Sequence, residues 1–259
     1  MFDTHTHLSD KQFANDLGKV ISSAQEDGVE KILTIWDLDT PIEGFLLLLE
    51  KYDSLYGALG IHPHNAQEAV KNKILEKIRG YLKKEKIVAL GEIGLDYHYL
   101  NSPKEIQKEI FRKQLNLAKE HTLPVIIHSR EATADTLQII KEEKVNQGVM
   151  HCFSGNLNEM RDFFNLGFYI SLAGPVTFPK ATKAKEVARE VPQERLLIET
   201  DCPYLAPQPM RGKRNEPSFL KYILAEIAEI RKMNKEELDE ITTKNAKYLF
   251  GLMKNNAKK

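Results

Sequence analysis

The sequence predicts an α/β fold, a single (β/α)8 TIM barrel. A length of 259 residues suits one such barrel. Short, apolar, β-branched stretches recur eight times at fairly even intervals, and segments with helical periodicity separate them. Strands that alternate with helices imply parallel β/α units, and the barrel is the closed form of eight such units. A doubly wound open sheet is the alternative architecture.

The predicted strands cover residues 1–8, 29–36, 55–61, 87–94, 124–128, 148–151, 168–172 and 195–200. The clearest helical segment is 104–120, where Ile106, Ile110, Leu115 and Leu117 lie among Lys, Glu and Gln. No composition break or Gly/Ser linker divides the chain, so we expect one domain over residues 1–254. Residues 255–259 are expected to form a frayed tail.

Charge and composition exclude several classes of protein. The chain has 37 basic and 37 acidic side chains, so it lacks the bulk positive field of a protein that coats nucleic acid. Its longest aliphatic run, residues 45–49, is far shorter than a membrane span. The chain has only two cysteines and no apolar export signal at its start, so we expect a reduced, cytoplasmic protein. We expect no contact with a membrane, and no obligate protein partner is evident.

Ionisable residues gather at the predicted strand ends. Six of the eight histidines lie at, or just after, the C-terminal ends of strands, as do two carboxylates. The C-terminal ends of all strands in a parallel barrel share one rim, where active sites are built. The sequence therefore brings the following residues to one mouth: His5, His7, His62, Glu92, His64, His128, His151 and Asp201.

The residue types at this rim favour metal binding. His5 and His7 are two positions apart, so a strand would turn both to one face, together with Asp3. A pair of hydrogen-bonded core histidines is the alternative. Glu92 lies in an apolar strand, where an unpaired carboxylate costs several kcal/mol, and that strand supplies no arginine to pair with it. The ligand-type groups exceed the needs of one ion, so two ions sharing Glu92 are predicted.

Three residues next to the candidate ligands could serve as further ligands or partners. Glu199 shares a strand face with Asp201, and it is either a hydrogen-bond partner of a ligating histidine or a structural acid. Cys152 and Cys202 each follow a candidate ligand directly, so strand alternation would turn both away from the site. We expect neither to bind metal and both to be small buried hydrophobes.

Seven motifs together resemble the TatD family of metal-dependent hydrolases. The resemblance runs in order from residue 2 to about residue 250. One departure is Ser9, which stands where relatives often have Asp or Asn, and it affects only local hydrogen bonding in the loop. The motifs are FDTHTHL (2–8), GIHPH (60–64), GEIGLDY (91–97), PVIIHSR (124–130), HCFSG (151–155), ETDCP (199–203) and RGKRNEP (211–217).

The resemblance implies the same barrel and a metal-dependent DNase, chiefly a 3′-to-5′ exonuclease acting on single strands. It also implies that one ion is held by His5, His7 and Asp201 with Glu92, and a second ion by Glu92, His128 and His151. The family is usually associated with Mg²⁺, whereas an imidazole-rich site suits Zn²⁺ or Mn²⁺ by ligand preference. We expect Mg²⁺ or Mn²⁺ to support turnover and Zn²⁺ to be an ion that copurifies.

Further roles follow from hydrolysis of a phosphodiester in single-stranded DNA or RNA. Asp201 would orient the attacking water or accept its proton, Glu92 would bridge the ions, and His62 would donate to a phosphate oxygen. Asp96 would orient His62 or bind substrate. A structural histidine beside Pro63 is the alternative reading of His62.

A long, proline-containing connection follows Asp201 and carries Arg211, Lys213 and Arg214. Long loops in compact domains are commonly functional, so these cations are predicted to bind the phosphates of the substrate. Arg130, two residues past His128, is predicted to be a further phosphate ligand. A solvated surface is the alternative interpretation of the cluster.

Two other functions fit the same residues. A metal centre of this kind could hydrolyse an amide or an aminoacyl ester, as in deacylation of D-aminoacyl-tRNA. The chain could instead be a metal-stabilised, non-catalytic partner of nucleic-acid machinery. The basic loop disfavours a small neutral substrate, and the presence of both Glu92 and Asp201 disfavours a protein without catalysis.

Overall fold

The computed structural model describes residues 1–253, in which eight parallel strands form one sheet in chain order. Each strand overlaps one predicted stretch, and the predicted barrel is confirmed. The predicted tail, 255–259, lies outside the described residues. The strands are β1 (Phe2–Thr6), β2 (Lys31–Ile35), β3 (Leu55–Leu59), β4 (Ile87–Asp96), β5 (Val125–Arg130), β6 (Gly148–Met150), β7 (Tyr169–Leu172) and β8 (Leu196–Ile198).

Helices follow the strands and cover the outside of the sheet, and the predicted helix 104–120 corresponds to α5. None of the helices within residues 1–253 combines the length and apolar character that a bilayer span requires. The helices are α1 (Leu17–Glu26), α2 (Ile42–Lys51), α3 (Ala66–Lys71), α4 (Ile74–Arg79), α5 (Lys104–His121), α6 (Thr133–Glu143), α7 (Leu157–Asn165), α8 (Thr182–Glu190), α9 (Leu220–Arg231) and α10 (Lys235–Leu249).

Strand alternation sorts side chains between two apolar layers. In β5, Val125 and Ile127 belong to the layer between strands and helices, whereas Ile126 belongs to the cluster inside the barrel. The same parity carries His128 inward, two residues past Ile126. The interior of the barrel therefore becomes polar only where its strands reach the rim.

The opposite end of the barrel is closed by apolar side chains. Leu249 at the end of α10, and Phe250 after it, join the interior cluster. The Phe250 ring centre lies 6.0 Å from that of Phe2 in β1. Since this end is filled, the rim at the C-terminal ends of the strands is the open mouth of the barrel.

The two outermost strands meet at a seam near the rim. Thr6 and Cys202 form a parallel bridge. The backbone N–H of His7 donates to the Cys202 carbonyl at 2.8 Å, and that of Asp201 donates to the His5 carbonyl at 2.9 Å. These bonds place the residues around β1 and β8 that were predicted to bind metal on either side of one junction.

Asp3 occupies the same seam, contrary to the expectation that it shares a face with the histidines. The pairing register of β1 shifts between Asp3 and Thr6, so simple alternation fails there. The Asp3 carboxylate accepts hydrogen bonds from the Thr200 backbone N–H at 2.9 Å and the Thr200 hydroxyl at 2.6 Å. Asp3 therefore ties the two strands together, away from the ligand-type groups.

Candidate metal centre

Glu92 lies at the middle of the site and is almost fully buried, with 4% exposure. Its Oε1 atom is 2.9 Å from His128 Nδ1, 3.2 Å from His151 Nε2 and 3.6 Å from His62 Nε2. Its Oε2 atom is 3.4 Å from His5 Nε2 and 3.9 Å from His7 Nε2. One carboxylate thus faces imidazoles from β1, β5 and the residues that follow β3 and β6.

Two glycines allow β4 to bring Glu92 into this position. A Cβ atom on Gly91 would lie 2.6 Å from the Cβ of Ile126 in β5, which no side chain tolerates. Gly94 has a φ of +139°, and its Cβ would lie 2.0 Å from the carbonyl oxygen of His128. The glycines of the motif GEIG are therefore required by the close approach of β4 to β5, which places Glu92 beside His128.

Asp201 completes the other side of the site. Its Oδ1 atom is 3.6 Å from His7 Nε2 and 3.8 Å from His5 Nε2. Asp201 adopts a left-handed backbone conformation, with a φ of 58°, three residues after the end of β8. Because Asp201 is 8% exposed, its carboxylate lies at the border between the interior and the mouth.

The ligand-type atoms form three overlapping groups, each with its atoms within 4.8 Å of one another. All six predicted ligands are brought together, and His62 joins them; that they bind metal stays a prediction. The grouping differs from the expected partition, because His151 stacks on His5 with ring centres 3.7 Å apart and His62 lies with His128. The groups are His5, Glu92 and His151; His5, His7 and Asp201; and His62, Glu92 and His128.

The outward-facing nitrogens of three rings are held by buried or half-buried carboxylates. His7 Nδ1 lies 2.9 Å from Asp37, His151 Nδ1 lies 2.9 Å from Glu199, and His128 Nε2 lies 3.0 Å from Asp96. Such partners fix the tautomer and orientation of metal-binding histidines. The contact of Glu199 with His151 favours the first of its two predicted roles. The inner nitrogens of all three rings remain directed at Glu92 and Asp201.

The charge balance of the site calls for a cation. Burial alone would raise the pKa of Glu92, but His151 and His62 beside it hold that pKa well below its ordinary value. Burial would lower the pKa of His151, but Glu92 and Glu199 raise it well above its ordinary value. The buried carboxylates therefore need positive charge close to them, which a divalent ion would supply. His5 Nδ1 has no hydrogen-bond partner among the described residues. The donor set thus fits divalent ions.

The geometry changes the predicted role of Asp96. Asp96 was expected to orient His62 or to contact substrate, but its carboxylate is fully buried and lies against His128 and His64 instead. The backbone N–H groups of His98 and Tyr99 also donate to it. Asp96 is therefore placed to position His128, because its oxygens are already occupied.

The predicted phosphate-binding cations differ in whether acidic side chains already pair with them. Arg211 and Lys213 are exposed, and so is Arg130. Arg214 is different: its guanidinium bonds both oxygens of Asp16 at 3.0 and 2.7 Å and one oxygen of Glu216 at 2.8 Å. The expectation that Arg214 binds substrate is not supported by this arrangement, because two acids already neutralise its charge.

The environments of the two cysteines also differ. Cys202 is fully buried, as expected. Cys152 has a φ of 43°, so the extended backbone does not persist there and alternation cannot fix its direction. Its backbone N–H donates to Glu199 at 2.6 Å, which links this turn to the partner of His151.

Several residues near the site were missed by the sequence reasoning. Asp37 comes directly after the predicted strand 29–36, so its place at a strand end was a usable signal. It also accepts a hydrogen bond from the Ser9 hydroxyl at 3.2 Å. His64 was placed at the rim, but its contact with Asp96 depends on the fold of the turn after β3. Tyr99 had no signal beyond its aromatic character, and it lies 5.6 Å from His64, ring centre to ring centre.

Comparisons with known proteins identify the family of this chain. The family model described as "TatD related DNase" matches residues 2–251. A Bacillus subtilis relative, named uncharacterized metal-dependent hydrolase YabD, is 49% identical, with 96% of this chain and 98% of that protein covered. A Pantoea ananatis relative, named 3′-5′ ssDNA/RNA exonuclease TatD, is 36% identical, with 98% of this chain and 100% of that protein covered.

Among solved structures, the Escherichia coli TatD homologue YjjV superposes with a TM-score of 0.92 at 33% identity, and the match covers 98% of each chain. The likeness therefore extends over the barrel and the loops that carry the site. On the family model, the relatives and this structural match, the chain belongs to the TatD family of metal-dependent hydrolases.

Proposed function

We propose that this protein is a phosphodiester hydrolase that removes nucleotides from the 3′ end of single-stranded DNA, and of RNA as well. The name of the Pantoea ananatis relative supports this direction and these substrates. Two divalent ions are part of the proposal, one held by His5, His7 and Asp201 and the other by His128 and His151, with Glu92 shared between them. Mg²⁺ or Mn²⁺ would support turnover, and Zn²⁺ is the ion expected to copurify.

The ions would supply activation of the attacking water and neutralisation of charge on the phosphate. Asp201 is suited to orient that water and accept its proton. Burial would raise the pKa of Asp201, but the contacts with His7 and His151 lower it, so the carboxylate is ionised at neutral pH. Burial lowers the pKa of His62 to about 3, so this ring is neutral and offers one nitrogen as a hydrogen-bond donor or as a ligand.

The observation that carries the proposal is a pair of exposed tyrosines on either side of the centre. Tyr204 is 49% exposed, and its ring centre lies 5.7 Å from that of His7. Tyr99 is 55% exposed, lies against His64, and has the Arg130 guanidinium 4.8 Å from its ring centre. Exposed aromatic rings stack on bases, and cations bind phosphates, whereas a small neutral substrate needs neither.

The direct test uses metal-loaded protein with single-stranded DNA and RNA oligonucleotides blocked at the 3′ or the 5′ end. We expect cleavage of 5′-blocked strands, release of mononucleotides and protection by a 3′ block. The Glu92→Gln variant, analysed for bound metal, is the control for a contaminating nuclease.

Aminoacyl-tRNA is assayed in parallel to test the rival ester hydrolysis. Release of the amino acid without shortening of any oligonucleotide would replace the proposal with a deacylase. Stoichiometric metal with no turnover of either substrate would indicate a non-catalytic binding protein.

A further inference from the structure

A cavity of about 340 Å³ lies beside the metal centre, between the segment that follows β6 and the segment that joins β7 to α8. Its size falls within the roughly 300–1,000 Å³ typical of small-molecule pockets. Most of its wall is apolar, with Ser154 and Thr182 among its polar side chains. The apolar wall is formed by Phe153, Leu172, Ala173, Pro175, Val176, Ala181 and Ala184.

The cavity shares lining residues with a second cavity, which reaches one candidate ligand of the metal centre. A second cavity, of about 230 Å³, is lined by the candidate ligand His151 itself. Both cavities are lined by Phe153, Ser154 and Lys183. A ligand in the first cavity can therefore extend past Lys183 to the edge of the centre.

Two acids line the connecting cavity, and both are engaged. Glu131 contacts His98 Nδ1 at 2.7 Å, and Glu159 accepts a hydrogen bond from the Asn156 backbone N–H at 2.7 Å. Their charges are therefore partly satisfied by groups on the protein.

Basic side chains surround the apolar cavity. Lys180 and Lys183 line it and are exposed. On this segment Lys185 is the lysine that forms an ion pair within residues 1–253, with Glu226 at 2.6 Å. Lys180 and Lys183 are thus available to an anionic ligand.

The basic loop that follows β8 docks against the same wall. The Arg211 guanidinium lies 4.6 Å from the ring centre of Phe178, which precedes the lysines in sequence. The Gln208 backbone N–H donates to the Thr177 hydroxyl at 2.8 Å. This contact brings a third cation to the side of the barrel on which the cavity lies.

We propose that this cavity binds the base and sugar of the 3′-terminal nucleotide while its 5′ phosphate lies at the metal centre. The inference rests on the proposed function and names a binding site within it. Apolar walls suit the faces of a base, and the hydroxyls of Ser154 and Thr182 suit its polar edge. Lys183, which lines both cavities, is placed to pair with the phosphate. A cavity of about 340 Å³ has room for one nucleoside, which suits removal of single nucleotides from an end.

The test uses binding of 2′-deoxyadenosine 5′-monophosphate to the Mg²⁺-loaded protein, measured by calorimetric titration. Ala184→Leu fills the cavity from α8, and Lys183→Ala removes the central charge without altering the core. The matched control is Ala225→Leu, on α9, because Ala225 is also half-buried but lines a separate cavity with Met1 and Asp27.

We expect Ala184→Leu to weaken mononucleotide binding at least about tenfold and Lys183→Ala to weaken it about three- to tenfold, the order of one lost contact. Ala225→Leu should bind as the parent does. The KM for single-stranded oligonucleotides should rise in the first two variants. Hydrolysis of bis(p-nitrophenyl) phosphate, a phosphodiester without a nucleoside, should keep its parental rate in the control variant Ala225→Leu.

Absence of mononucleotide binding by the parent, or parental binding by both Ala184→Leu and Lys183→Ala, would overturn the assignment of the cavity. If Ala184→Leu is unfolded by circular dichroism, Lys183→Ala decides alone. Failure of the proposed function has a different signature: the parent would not shorten oligonucleotides, although mononucleotide binding would still depend on Lys183.

Discussion

Asp96 and His128 are joined by a contact of 3.0 Å between the carboxylate Oδ2 and the ring Nε2. The other nitrogen of the same ring, Nδ1, lies 2.9 Å from Glu92. The imidazole is therefore held at both ends, and the same Asp96 oxygen lies 3.0 Å from His64 Nε2. The orientation of one candidate ligand is thus set by a fully buried acid that lies outside the candidate ligand groups.

Asp96→Asn tests this positioning role. The amide can no longer hold His128 by charge, so we expect the affinity for the ion proposed to be held by His128 and His151 to fall about 10–100-fold, with little change in fold. Metal titration followed by elemental analysis measures the change. Asp135→Asn is the control, because Asp135 lies near the same loop but pairs with the Tyr97 hydroxyl and Lys108, neither of which is a candidate ligand. Equal metal affinity in both variants would contradict the role of Asp96.

Glu92→Gln tests the shared carboxylate. The substitution keeps the volume and hydrogen bonding of the side chain but removes the charge that faces five imidazoles, so both ions should bind more weakly. We expect at least about a tenfold loss of affinity at each site, equivalent to roughly 1.4 kcal/mol. A variant that binds two ions as tightly as the parent would show that the ions do not share Glu92.

Asp201→Asn separates chemistry from metal retention. One oxygen remains for the metal, but the negative charge that stabilises proton transfer is lost. Since general-base contributions are typically about 10²–10⁴-fold, kcat should fall at least about a hundredfold with little change in KM. Metal content, circular dichroism and single-turnover cleavage are measured on one sample. Full occupancy with a near-parental single-turnover rate would remove Asp201 from the chemistry.

The cations of the basic loop should have two different roles, phosphate binding and stabilisation of the fold. Replacing exposed Arg211 and Lys213 by Ala should raise the KM for single strands and reduce the slope of its salt dependence by about 1.4, since each phosphate contact contributes about 0.7. Arg214→Ala should leave that slope unchanged and lower the unfolding temperature by roughly 2–4 °C, because its partners are Asp16 and Glu216. A salt slope altered by Arg214→Ala alone would reverse this division.

Asp3 should make the metal-free protein less stable as the pH rises. Burial raises its pKa from 3.8 to about 8, despite hydrogen bonds from Thr200 that lower it. Between these values the folded state holds a proton that the unfolded state has lost, so stability falls with rising pH, by up to about 1.4 kcal/mol per unit.

Urea unfolding at pH 5, 6.5 and 8 with a chelator present measures this dependence. Asp3→Asn cannot titrate, so its stability should vary less over this range than that of the parent. Equal pH dependence in the two proteins would show that Asp3 does not titrate in this range.

The strands and the rim residues could be predicted from the sequence because their signals are local. Apolar runs mark the strands, and the parity of a strand such as β5 sets the direction of His128 two residues after Ile126. These features need no knowledge of distant contacts.

The remaining features depend on pairs that are far apart in sequence. Arg214 lies 198 positions from Asp16, so the sequence around the basic cluster could not reveal that Arg214 pairs with this acid. The irregular register of β1 moved Asp3 from the expected face to the seam. Asp37, by contrast, follows a strand end and could have been found by the same rule that selected the ligands.

Because the candidate centre lies across the seam between β1 and β8, it can form only when the barrel is completely folded. His5 and His7 come from the first strand of the chain and Asp201 from the end of the last, so a group containing all three exists only after the sheet has closed on itself. An ion bound there would act as a clasp. It would favour the closed barrel over any partly opened state by an amount that grows with the logarithm of metal concentration. The stability of the closed barrel would then depend on the supply of metal, as the proposed catalysis would.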